Sequence, residues 1–101
     1  MSWNSPVDRD RIMAALGYPI TEENISRVQA AMDRVARISV QAQARIQTTL
    51  SQLSVIEGQI ATARNSSSQI LGQLRGEAQR LANSISVAMN LPVQNKIYTV
   101  G

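Results

Sequence analysis

Ala63-Arg64-Asn65-Ser66-Ser67-Ser68-Gln69-Ile70-Leu71 is the stretch on which the fold turns. Asn and Ser bond to nearby backbone and compete with the helix, so four in a row invite a turn. Ser66 followed by Gln69 also spells a capping box, placed just before the apolar pair Ile70 and Leu71. On this reading one helix over 22–64 ends here, another over 67–90 begins, and the two fold into an antiparallel hairpin. The apolar seam on either side points the other way. Its steps of three and four run from Ile60 through Ala63 and Ser67 to Ile70 without a slip, and a turn has no reason to preserve phase. One unbroken helix would span on the order of 100 Å at ~1.5 Å per residue, a length rare outside coiled coils. The hairpin is the preferred reading, with one continuous coiled-coil helix as the alternative.

The seam extends well beyond the junction. Of nineteen seam positions between Ile25 and Ala88, fourteen are apolar, which is what a helix needs to lie against other helices. Ile25, Val28, Met32, Val35, Ile46, Leu53, Ile56, Ile60, Ile70, Leu74, Leu81 and Ile85 are expected to carry the helix packing. Leu50, Leu71 and Ile85 stand one place past the strict seam and Ile38 one place before it, which widens the stripe toward that of a multi-helix bundle. The flanks hold Gln, Ala and Ser instead of Glu/Lys ladders, so a simple two-stranded zipper is poorly specified.

Upstream, the signals predict a short helix over 6–16. Ser5 is a good N-cap, Pro6 suits the first turn and Asp8 complements its positive end. Gly17 supplies a left-handed stop and Pro19 forbids continuation. The next helix opens at Thr21 as N-cap with Glu22 and Glu23 behind it, and Ile20 is placed to staple onto Ile25. From there nothing stronger than the lone Gly58 interrupts the pattern up to residue 64. Residues 1–5 read as an arm whose Trp3 either anchors on a neighbour or folds back on its own helices. After Pro92 the character changes. Ile97, Tyr98, Thr99 and Val100 are strand formers on a segment too short to make a sheet. Residues 91–101 are therefore expected to be an extended tail docking on another chain, with Trp3, Leu91, Pro92, Val93, Ile97, Tyr98 and Val100 as the partner-binding side chains.

Composition narrows the chemistry. The 101 residues allow one domain, and there is no cysteine and no histidine. That removes disulfides, thiolate metal sites and the commonest general base and zinc ligand. Only Trp3, Tyr18 and Tyr98 are aromatic, so bulk must come from Ala, Ile, Val, Leu and Met, which suits helix-on-helix contacts and stability shared among copies. Net charge is +3 but unevenly placed. Residues 1–33 hold five acids against three arginines, and residues 34–101 hold seven bases against two acids. Such a chain can pair head-to-tail with itself.

No catalytic constellation emerges. Eleven serines have no histidine or cysteine beside them, and the one lysine, Lys96, lies in the tail. Asp8 and Asp10 point apart on a helix, and Glu22 and Glu23 are explained as first-turn residues. Gly72 and Gly76 flank Arg75 at a small-xxx-small spacing that admits a close helix approach, without being a phosphate loop. The basic residues are spread along the chain without interleaved aromatics, so sequence-specific nucleic-acid readout is not expected, although a ring of copies could present arginines to DNA in its lumen. No enzyme activity and no cofactor are expected. The start Met1-Ser2-Trp3-Asn4 has neither a basic region nor an apolar run, so cytoplasmic synthesis is expected. No apolar stretch has membrane-spanning length, so no membrane partner is expected either.

Three features together resemble the small helical head-to-tail connector (adaptor) proteins of tailed bacteriophages. They are a short helix closing on Leu16-Gly17-Tyr18-Pro19, long amphipathic helices after Thr21-Glu22-Glu23, and a tail from Leu91 to Gly101. The likeness covers most of the chain in outline. It implies a virion component assembled in the host cytoplasm, forming a ring below a portal protein. Residues 91–101 would then clip onto the portal or a neighbouring copy. The expectation is thus an all-α structural subunit of a homo-oligomeric assembly; the alternative is a coiled-coil dimer or trimer bridging protein partners.

Overall fold

Ser5 holds an extended backbone, and its hydroxyl accepts the Asp8 N–H at 3.2 Å, starting the first of four helices. In the computed structural model, which describes residues 3–63 and 68–98, these are α1 (Pro6–Leu16), α2 (Glu22–Ile38), α3 (Val40–Thr62) and α4 (Ser68–Met89). The fold is all-α, with no strand among the described residues. α1 ends where expected. Gly17 adopts φ 76°, and the N–H groups of Gly17 and Tyr18 return to the carbonyls of Ala14 and Met13 at 3.3 and 2.9 Å. This pair of bonds satisfies carbonyls a helix end leaves open. Thr21 caps α2 through the Asn24 N–H at 3.2 Å. The expected Ile20 staple does not form: Ile20 is 75 % exposed.

The continuous helix expected over 22–64 is broken at Ser39. This one residue, at φ −156° and ψ 116°, serves both helices. Its N–H donates to Val35 O at 2.9 Å, its hydroxyl accepts from Ala42 N at 3.1 Å, and its carbonyl accepts from Gln43 N at 3.2 Å. Packing is what requires the break. The buried stripes of α2 (Val28, Met32, Val35) and of α3 (Ile46, Leu50, Leu53) reach one core only if the chain turns between them. A serine able to terminate one helix and cap the next makes the corner cheap. The flanking Ile38 and Val40 are left on the surface at 74 % and 63 % exposure.

α3 and α4 form the hairpin. The molecule is 45 Å in its longest dimension, under half of what one unbroken helix over 21–90 would need at ~1.5 Å per residue. Asn65, Ser66 and Ser67, where the turn was expected, lie outside the described residues; Ser68 opens α4. α1 and α2 pack on the half of the hairpin nearest the Ser39 corner. There Trp3, Ile12, Met13, Leu16, Val28, Met32, Ile46, Leu50, Ile85 and Met89 close a core that excludes water. Each such side chain contributes about 1.5–3 kcal/mol on burial.

The seam is partly realised and partly displaced. Val28, Met32, Val35, Ile46, Leu53, Leu81 and Ile85 are buried, and Ile25, Ile56 and Ile60 pack on the core from its edge. On α4, however, the seam residue Leu81 shares the core face with Ala78, Ala82, Ile85 and Met89, while the later seam positions Ser84 and Ala88 face outward. A 3.5-residue pattern laid on an unsupercoiled helix drifts by about 20° per heptad, and over α4 the drift hands the core to the neighbouring row. Ile70, expected in the packing, is 48 % exposed, and Leu74 is only half-buried.

Candidate docking surfaces

The arm, the tail and the hairpin were the three places from which contact with other chains was expected. Over its described residues, from Trp3 on, the arm is docked on its own chain. Trp3 is 2 % exposed. Its indole N–H donates to Asp8 Oδ2 at 3.0 Å, its backbone N–H to Asp33 Oδ1 at 3.2 Å, and its carbonyl accepts from Gln29 Nε2 at 2.9 Å. Gln47 adds a bond from α3 to the same Asp8 carboxylate at 3.2 Å. Every polar group of this bulky residue is satisfied within the chain, as a buried indole requires. Trp3 is therefore a core residue, and its assignment to partner binding is corrected.

The tail is likewise folded back over its described length. α4 ends with Asn90 at φ 55° and with the N–H groups of Asn90 and Leu91 returned to Val87 O and Ser86 O at 3.2 and 3.1 Å. Arg34 of α2 adds a cap, donating to Met89 O at 2.7 Å. The chain then crosses the end of α1. Gln94 N and Asn95 N both donate to Leu16 O, at 2.8 and 3.2 Å, and the Tyr18 hydroxyl donates to Pro92 O at 2.8 Å. Leu91 and Tyr98 are buried, and Val93 packs on the core. Leu91 and Tyr98 thus belong to the chain's own interior, which corrects their assignment to partner binding; Val93 is half-buried, and Pro92 and Ile97 are exposed. Ile97 and Tyr98 form a turn, with Ile97 N donating to Asn95 O at 3.1 Å, in place of the extended backbone that their composition suggested. Val100 lies outside the described residues.

Tyr98 sits between two hollows of about 260 and 250 Å³ that share Glu57, one bounded by Arg11 and Leu50, the other by Ile60 and Arg75. Burial, with the nearby Glu57 carboxylate adding to it, pushes the Tyr98 phenol up to about 12. Among the described residues no three metal-ligating side chains gather.

The hairpin differs from the described parts of the termini because no described residue covers part of it. Away from the Ser39 corner, α3 and α4 run on beyond α1 and α2, and an open groove of about 670 Å³ lies along them. Val55, Gly58, Gln59, Thr62 and Ala63 line it from α3, and Ile70 and Leu74 from α4. A second hollow of about 310 Å³ continues it through the shared Val55 to Gln52, Ile56, Glu77, Arg80 and Leu81. Val55 is 61 % exposed. Among the described residues the larger groove has no charged lining residue, and the smaller has one acid and one base. Those two, Glu77 and Arg80, pair with each other, and that bond holds the Glu77 carboxyl below the usual carboxylate range. Sequence periodicity had placed Ile56, Ala63, Ile70 and Leu74 in the packing but gave no sign that they border a face outside the chain's own core. The close helix approach admitted at Gly72 and Gly76 does not occur within the chain, since a Cβ at either would meet nothing within 4 Å.

No protein-family model matches the chain, and neither a curated protein nor a solved structure is significantly similar to it. No helix among the described residues is long and apolar enough to cross a membrane.

Proposed function

We propose that this protein is a non-enzymatic structural subunit of a homo-oligomeric assembly, of the kind that builds the head-to-tail connector ring of a phage particle. The observation that carries this reading is the groove on the outer half of the hairpin, whose described lining carries no charge and where large apolar side chains stay on the surface. Contiguous exposed apolar surface marks an interaction site, and helices whose apolar face is uncovered acquire a second layer from another chain. In a ring, the exposed Arg27, Arg37 and Arg45 would give the assembly its non-specific affinity for DNA. Arg34 is engaged in capping α4. A portal-like protein is the heterologous partner that this role calls for.

Light scattering coupled to size exclusion, followed by negative-stain imaging, tests the proposal: ring-sized particles, or rings formed only with a portal-like protein, are the expected result. A second reading, a bridging module, is favoured by the same long antiparallel pair α3 and α4. It predicts an elongated dimer or trimer that never closes into a ring.

A further inference from the structure

We infer that the outer hairpin groove is the seat of the same hairpin from a second copy, the two pairs of helices closing into a four-helix bundle across a two-fold axis. This rests on the homo-oligomeric reading above and names its contact. Three observations on one face carry it.

The first is where the seam went. The chain's own core takes Ile46, Leu50 and Leu53 from α3 and Ala78, Leu81, Ala82, Ile85 and Met89 from α4. The seam positions Ile70 and Leu74 line the groove instead, with Ile56 and Ala63 at the border between groove and core. Apolar residues at coiled-coil spacing thus stand, folded as helix, beside an open groove of about 670 Å³. Such spacing is matched by another helix, and α3 and α4 are already used by each other.

The second is charge. The chain carries a net +3, and a two-fold contact sets a patch against its own image, so a charged patch would repel itself. Among the described residues the groove has no charged lining, and the lower hollow holds only the paired Glu77 and Arg80. These described residues can meet their own image without like-charge cost.

The third is relief. Gly58 lies on the groove with nothing within 4 Å of where a Cβ would stand, between the exposed Val55 and Thr62. That notch admits a knob such as Val55 or Ile70 of the other copy. The face is on the order of 18 Å long and 20 Å wide, or roughly 400 Å² per copy before relief is counted. A stable pair buries about 800 Å² per partner. The contact is therefore a weak, reversible one, and other surfaces must complete a larger assembly.

Sedimentation equilibrium on the full chain from 1 µM to 1 mM provides the test. A concentration-dependent rise from the 11.0 kDa monomer is expected, and Val55→Gln with Ile70→Gln should weaken it at least tenfold. Both side chains are exposed, so helical circular dichroism should be unchanged. The chain has no cysteine, so Gly72→Cys, exposed on α4 outside the groove lining, carries a single nitroxide, and electron–electron dipolar spectroscopy should give an intermolecular distance of roughly 20–40 Å, about two to four interhelical spacings. Self-association that survives the double substitution, with no such distance, overturns the groove as the contact and leaves homo-oligomerisation standing. A chain that stays monomeric at 1 mM overturns both and leaves the groove to a helix of another protein.

Discussion

Gly17 and Asn95 lie so close that a Cβ on the glycine would stand 2.5 Å from the Asn95 Cβ and 2.8 Å from its backbone nitrogen. The tail can cross the end of α1 and bond Leu16 O only because position 17 has no side chain. The same glycine needs φ 76° to stop α1. One residue answers two requirements, and each alone would disfavour a substitute.

Gly17→Ala should therefore destabilise the protein by more than the ~1–2 kcal/mol that a left-handed alanine costs, because Asn95 must also move. Urea denaturation is the measurement. A Gln94–Gly101 deletion in the same background should restore only the steric part, so the alanine penalty should shrink without vanishing.

Trp3 is the sole tryptophan, and its burial predicts blue-shifted emission that moves red on unfolding. Trp3→Phe should cost about 1 kcal/mol for the lost Asp8 bond, and Trp3→Ala about 3–5 kcal/mol for the emptied core. Thermal melts should rank the two in that order. Equal losses would mean that the indole volume contributes little.

Arg34→Met keeps the aliphatic stem and removes the donor to Met89 O. It should lower stability by about 1.5–3 kcal/mol, the range for a charged donor. Amide exchange should show the last turn of α4 opening before the rest.

Tyr98 gives a pH signature. Its phenol is held up to about 12 in the fold, chiefly by burial, against about 10 in an unfolded chain. The folded state keeps its proton longer, so this contribution is full below pH 10 and is lost as pH rises from about 10 to 12. Comparing the stability of wild type and Tyr98→Phe over that window should show the fall in wild type alone. Ultraviolet titration of a Tyr18→Phe background should place the Tyr98 midpoint directly.

Local chemistry made much of the fold legible. Ser5-Pro6, Gly17 and Thr21 act through their own backbones and immediate neighbours, and the helix ends they mark are where the structure has them. Ser39 was not legible, because the seam passes through it in phase and only the three-dimensional core demands a turn there. The seam itself told that helices pack but not against whom. Ile70 and Leu81 both stand on the seam, yet Ile70 faces the groove while Leu81 is buried. Trp3 and Tyr98 were read as reaching outward because terminal position says nothing of the pockets that α1, α2 and α3 build for them.

The corner at Ser39 has a further consequence. No glycine or proline stands between Glu22 and Val55, so local preference alone would let α2 and α3 run straight as one rod of about 60 Å at ~1.5 Å per residue. The bent form persists because α2 finds α1 and the hairpin waiting for it. A copy that straightens would offer its α1–α2 half to the hairpin of another and receive that copy's half in return. Ser39 is thus a joint at which this chain could trade its own interior for a neighbour's, and stiffening it would favour one of the two forms, closed monomer or exchanged pair.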